Sequence, residues 1–320
     1  MFSIGEGRVF MAYDEFKAYM IGSVSKIFAG SNYEVVVEMS TRPGVEPYEI
    51  ISVKEKIGKN VYSSGFGLQS CYDEYVNGAP LGELVSKRVK EIEGVDEWFK
   101  KVNFDHMNDF ERFKGNVIVR PLGFATNEKA LRNHVYRRAG DIALTVYMLL
   151  NNEKGSMATA KIPKEAIAAW NLPEDYVFDY ALGNTAILFE PYIVPFEHIM
   201  QGASPKEYPD ESKYLMRPGY LHSRSQLGVY MMFANNSVNA ATAVFYPGVL
   251  RRLSEIVQTD LYVVAPYMSY VAVHVKGTLP LEDIKDSARK MKHSPFEKKD
   301  EFLTENVYRY SRKNDALVMM

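Results

Sequence analysis

A stretch of this chain occurs twice. Residues 146–160 read VYMLLNNEKGSMATA and residues 229–243 read VYMMFANNSVNAATA; at a constant offset of 83, seven of the fifteen positions are identical. The shared positions are Val146, Tyr147, Met148, Asn152, Ala158, Thr159 and Ala160 with their counterparts in the second copy. Each copy has an apolar run, an Asn-containing turn and a second apolar run, then a proline (Pro163 or Pro247) placed to open a helix. Internal similarity at a fixed offset constrains architecture more than any single motif. The pattern predicts one β-hairpin built twice, each copy followed by a helix.

The rest of the chain is read around that duplication. Phe16, Met20, Val24, Ile27 and Phe28 recur at helical spacing and predict a helix over 12–28. Residues 33–41 and 48–56, rich in Val, Ile and Tyr, predict two strands, with a third near 60–66. Leu81, Leu84, Val85, Val89 and Ile92 predict a second helix behind Pro80, ended by Gly94. Further strands are expected at 117–122, 142–150, 157–162, 187–193, 228–234, 240–246, 261–265 and 270–275. Helices are expected behind Pro163, Pro173, Pro195, Pro247 and Pro280. The expected fold class is α+β. It has a small lobe over 1–115 of helices on an antiparallel sheet, a larger lobe over 116–295 of two related hairpin–helix units, and a tail over 296–320.

Composition removes several classes of function. A net charge of −2 argues against a chain that clamps nucleic acid along its length. One cysteine, Cys71, leaves no intrachain disulfide and suits a reducing compartment. The first residues lack a basic flank before an apolar core, and the longest apolar run, 142–150, is too short to span a bilayer as a helix. A cytoplasmic protein with no membrane partner is expected.

No chemical motif is complete. Ser23-Val24-Ser25-Lys26 has a serine and a lysine one helical turn apart, without the companion motifs of that chemistry. Asp105, His106 and Asp109 supply at most three metal ligands, and the six histidines never fall at metal-binding spacing. Pro209-Asp210-Glu211-Ser212-Lys213 combines acids and a lysine in a polar, loop-like stretch rather than on a strand. The Gly5-Glu6-Gly7 and Gly65-Phe66-Gly67 pairs lack the third glycine and helix of a phosphate loop, so no cofactor is expected. Cys71 beside Tyr72 and Tyr75 fits a packed small residue. From Lys285 to Lys313 the chain carries nine basic and five acidic residues with interleaved aromatics, a mildly basic segment able to touch nucleic acid.

Several short motifs occur in an order that is familiar as a set. They are Cys71-Tyr72-Asp73-Glu74-Tyr75-Val76-Asn77-Gly78, Asp141-Ile142-Ala143, Trp170, Ala181-Leu182-Gly183-Asn184-Thr185, Tyr246-Pro247-Gly248-Val249-Leu250 and Leu261-Tyr262-Val263-Val264-Ala265-Pro266. In this order the chain resembles, over nearly its whole length, an uncharacterised bacterial family, domain of unknown function 5688, met in gut anaerobes and often near mobile elements. Arg137-Arg138-Ala139-Gly140 departs from the Pro-His-Arg-type lead-in of that family. The resemblance brings no established activity and therefore no catalytic residue. If the two hairpins pack as a pseudo-twofold pair, a groove lies between them with Asp141, Asn152, Asn184 and Asn235 at its rim, the expected binding site. The expected function is non-catalytic recognition of another macromolecule, with a protein as partner, in a setting of mobile-element conflict. The alternatives are a hydrolase or nuclease with residues scattered in sequence, or a nucleic-acid accessory protein acting through its basic end.

Overall fold

The computed structural model describes residues 10–29, 32–40, 47–57, 60–101, 109–153, 156–202, 210–235, 239–291 and 301–320. Gly5-Glu6-Gly7, Asp105, His106 and Pro209 lie outside them. Helices and antiparallel sheets together make the chain α+β. It divides into two compact units, 1–104 and 105–320.

The first unit opens with helix α1 (Tyr13–Ile27), whose Phe16, Met20 and Val24 are fully buried at the i, i+4, i+8 spacing read from the sequence. Strands β1 (Tyr33–Ser40), β2 (Tyr48–Ile57) and β3 (Asn60–Gly67) pair antiparallel in sequence order. Two helices follow, α2 (Leu68–Val76), which the sequence pattern did not separate, and α3 (Leu81–Lys101), which runs on past Gly94. One core joins α1, Ile51, Val53, Phe66, Leu68, Cys71 and the apolar side of α3. Cys71 is buried and its thiol is pushed up by burial, although Arg88 donates to it at 3.0 Å. The reading of Cys71 as a packed residue holds, since a thiol held protonated is a poor nucleophile.

The second unit contains two sheets. In the first, β6 (Ile142–Glu153) is the spine. It pairs with β4 (Val117–Gly123) along one edge, and with β5 (Tyr136–Ala139) and then β7 (Ser156–Lys161) along the other. Residues 142–149 are buried without interruption, as a strand covered on both faces requires. Helices α4 (Phe110–Phe113), α5 (Phe124–Leu131), α6 (Lys164–Ala169) and α7 (Glu174–Leu188) accompany this sheet. Thr126 lies inside α5 and donates to the Gly123 carbonyl.

The second sheet has the order β13-β12-β10-β11-β9-β8, antiparallel throughout. Its strands are β8 (Pro191–Pro195), β9 (Val229–Ala234), β10 (Leu261–Val264), β11 (Val271–Val275), β12 (Val307–Ser311) and β13 (Ala316–Met319). Alternate residues divide between two faces. Ile193, Met232, Val263, Val271 and Tyr308 join the main core with α9 (Val249–Val257), whereas Tyr262, Val264, Ala272 and Val307 pack with α10 (Leu281–Met291). Of the six helix-opening prolines, Pro80, Pro163, Pro173, Pro195 and Pro280 directly precede a helix and Pro247 stands two residues before one; α8 (Phe196–Met200) follows Pro195.

Three expectations are corrected. Residues 240–246 are not a strand: Ala240–Phe245 is a 3-10 helix, so the second copy of the repeat is not a hairpin and the pair of related hairpin–helix units is not formed. The reason is the edges available. β9 already has β8 on one side and β11 on the other, leaving no edge for a returning strand. Residues 187 and 188 end α7 instead of starting a strand. The segment expected as a tail over 296–320 supplies β12 and β13 of the six-stranded sheet.

The edge of β4 away from β6 is joined to the rest of the unit by side chains. Val119 donates its N–H to Thr185 Oγ1 at 2.8 Å and accepts from Asn239 Nδ2 at 3.1 Å. Asn184 Nδ2 donates to the Val117 and Gly115 carbonyls, both at 2.9 Å. Thr185→Val preserves shape but leaves a buried N–H without an acceptor. Unfolding in urea should show a loss of about 1–3 kcal/mol for the variant.

A second prediction concerns pH. Burial lowers the His274 pKa from 6.5 to about 4 on β11. A depressed histidine contributes stability that is intact above pH 6.5 and is lost as pH falls toward 4, because the unfolded chain binds the proton first. The loss should approach roughly 3 kcal/mol. Urea unfolding from pH 7 down to pH 4 should show a shallower pH dependence in His274→Gln than in the native chain.

Candidate functional site

Three of the four residues expected at the groove rim, Asp141, Asn184 and Asn235, hold the fold together in separate places. Asp141, in the β5–β6 turn, accepts from Thr304 Oγ1 at 2.6 Å, from Asn306 Nδ2 at 2.8 Å and from the Tyr308 hydroxyl. The neighbouring Gly140 has φ +63°, and a Cβ there would lie 2.7 Å from the Tyr308 hydroxyl, so this turn needs glycine. Asn184 covers the outer edge of β4. Asn235 accepts from the Tyr214 hydroxyl and donates its backbone N–H to Glu190. Asn152 is exposed near the end of β6. With the second hairpin absent, the groove that was to unite these four has no second wall.

Other sequence candidates also resolve into structure. Asp210 caps the 3-10 turn at Ser212, and its hydrogen bond from that backbone N–H holds its carboxyl below the usual range. Arg137 lies over the Phe178 ring and pairs with Asp175 and Asp179 on α7. Three of the nine basic residues from Lys285 to Lys313 are paired with acids: Lys285 with Glu282, Arg289 with Asp286, and Arg309 with Asp260. Arg312 and Lys313 border an open concavity with Lys276 and Thr259 at this corner, where Asp260 offsets part of their charge. Among the described residues, no group of three or more His, Cys, Asp or Glu could hold a metal ion. No described helix is long and apolar enough to cross a membrane.

A different cluster is set apart by its chemistry. Strand β4 reads VIVRPLG, and Arg120 interrupts an otherwise apolar strand. Its side chain falls on the same sheet face as Ile118, across β6 from Thr145 and diagonal to Tyr147. The guanidinium carbon lies 5.3 Å from the centre of the Tyr147 ring. Nη1 donates to Thr159 Oγ1 on β7 at 2.7 Å, and Nη2 to Met268 Sδ at 3.4 Å. Nε is buried and, among the described residues, has no acceptor. Among the described residues no carboxylate forms an ion pair with Arg120, although the field of Glu301 acts on it.

Lys161 completes the cluster. It stands opposite Tyr147 on β7, two residues along from Thr159. Burial, then the neighbouring Arg120, lowers its pKa. Burial also lowers the Arg120 pKa, against the opposing fields of Tyr147 and Glu301. Burial raises the Tyr147 hydroxyl to about 12 despite Arg120. Two partly buried cations thus share one face of the sheet, where unpaired charge is more costly than in open water.

The corner beside Arg120 is short of partners too. Among the described residues, Asn239 Oδ1 and Thr242 Oγ1, both on fully buried residues, find no hydrogen-bond partner. They are tied to the Arg120 neighbourhood because Asn239 donates to the Val119 carbonyl and Ala241 N–H to the Met268 carbonyl. The sequence reading passed over these residues. The one available signal was a lone arginine in an apolar strand and a lysine ending another.

The chain matches, over residues 13–312, the family model described as a family of unknown function, DUF5688, and belongs to that family. No curated protein and no solved structure matches it.

If Arg120 is kept at a cost to stability, an apolar replacement of similar length should relieve that cost. Arg120→Met, packed against Tyr147 and Met268, should unfold at equal or higher urea concentration, with a gain of about 1 kcal/mol. A loss of several kcal/mol would make Arg120 a structural residue.

Proposed function

We propose that this is a non-catalytic cytoplasmic protein that recognises another protein, in the setting of conflict between mobile elements and their hosts. The observation that carries the reading is the Arg120 site. A guanidinium stacked on Tyr147, with a buried N–H left over and a second cation beside it, is built to receive an anionic group. Arginine and tyrosine are the residue types that anchor protein interfaces. The ion pairs of Lys285, Arg289 and Arg309 reduce the positive charge that the C-terminal segment offers and weigh against nucleic-acid binding as the main role.

One observation favours the alternative of an enzyme with scattered residues. A lysine with a lowered pKa is a base closer to neutrality, and Lys161 lies on the same face as the Thr159 hydroxyl. Recognition remains the better reading because Thr159 is already engaged by Arg120.

The test is quantitative capture from native cells followed by cross-linking. The native chain should retain one protein at near-equal stoichiometry, with cross-links at β6 and β7, and Lys161→Gln should retain it at least about tenfold less. Equal capture by both chains, or turnover of a hydrolase substrate that Lys161→Met abolishes, would overturn the proposal.

A further inference from the structure

We propose that Arg120 and Lys161 bind the phosphoryl group of a phosphorylated side chain on the partner protein, an inference that rests on the recognition reading above. The argument starts from charge. Two cations share one patch of sheet, on β4 and β7, with the Tyr147 ring between them on β6. A carboxylate brings a single negative charge and would leave one of them uncompensated. A phosphate monoester brings about −1.5 to −2 at neutral pH and three acceptor oxygens.

The donor inventory agrees. A guanidinium has five N–H groups in a rigid fork. Thr159 and Met268 take one from each Nη, which leaves one N–H on each Nη and the buried Nε–H. Those three donors and the Lys161 ammonium outnumber the two oxygens of a carboxylate and suit the three oxygens of a phosphate.

The orphaned atoms beside the neighbouring 3-10 turn call for one acceptor and one donor: Thr242 Oγ1 can donate to a phosphate oxygen, and Asn239 Oδ1 can only accept. A phosphopeptide carries backbone N–H groups next to its phosphate and satisfies both kinds of atom, in keeping with a protein partner. Glu301 is the nearby acid whose field opposes an incoming anion, and it favours a ligand held by several contacts over one held by charge alone.

The experiment uses the full chain and calorimetric titration at constant ionic strength. The probes are inorganic phosphate, acetate, a phosphoserine peptide with neutral flanks, its unphosphorylated form, and a 5′-phosphorylated oligonucleotide. Phosphate should bind saturably and acetate should not, and the phosphopeptide should bind tighter than phosphate. Lys161→Gln and Arg120→Lys should each weaken phosphopeptide binding roughly tenfold or more, with Lys285→Gln on α10 as the unaffected control. Because Arg120→Lys could perturb packing, folded Lys161→Gln carries the decision. Unchanged binding in that variant, acetate binding as tight as phosphate, or preference for the oligonucleotide would each overturn the proposal. Capture of the partner protein that survives phosphatase treatment would sink the phosphoryl reading and leave recognition standing. Phosphopeptide binding through Arg120 and Lys161 without any captured protein would support the site and sink the broader reading.

Discussion

The outer edge of β4 is the constraint on which the larger unit depends. A strand edge inside a protein must satisfy its N–H and C=O groups, and among the described residues no strand pairs with β4 on that side. Side chains do so instead: Thr185 accepts from Val119, Asn239 donates to it, and Asn184 covers Val117 and Gly115. These bonds come from α7 and from the 3-10 helix that follows β9. They tie the four-stranded sheet to the segment leaving the six-stranded one. Tyr246 adds a further tie through its hydroxyl to the Thr185 carbonyl. The Asp141–Tyr308 contact makes a second seam, from the β5–β6 turn to β12.

Much of the fold was legible because local pattern and final environment agree. The α1 stripe of Phe16, Met20 and Val24, the strands beginning at Tyr33 and Tyr48, and the prolines ahead of α3, α6, α7, α8 and α10 all carry their own signals. What the sequence could not show was which strand edges would be free. The two repeat copies share Tyr147 and Tyr230, Asn152 and Asn235, and Thr159 and Thr242. Only the first becomes a hairpin, because β6 has an open edge beyond β5 and β9 has none. Short apolar segments such as 240–245 take their form from the tertiary neighbours they meet. For the same reason β12 and β13 were invisible: a mixed, charged sequence there forms strands by pairing with β10.

The candidate site was hidden for a related reason. Asn184, Asn235 and Asp141 drew notice as polar residues at element ends, which is where polar residues most often serve as caps and ties. Arg120 and Lys161 sit within strands, where a charged residue reads as a solvent-facing position. Only the three-dimensional arrangement shows that Arg120 faces Tyr147, Thr159 and Met268 and that its Nε is closed off.

The contrast between these two groups of polar residues separates holding the fold from doing work. Asp141 has three donors for its two oxygens, and Asn184 and Thr185 spend their hydrogen-bonding capacity within the fold. Such saturated groups have nothing left to offer a ligand. Arg120 has a buried Nε without an acceptor, a like-charged neighbour and partial burial, each of which disfavours the free protein. Folding alone would favour an apolar residue at this position on β4. A site that is costly when empty gains in proportion when an anion arrives, because binding then relieves both the unpaired N–H and the repulsion between the two cations.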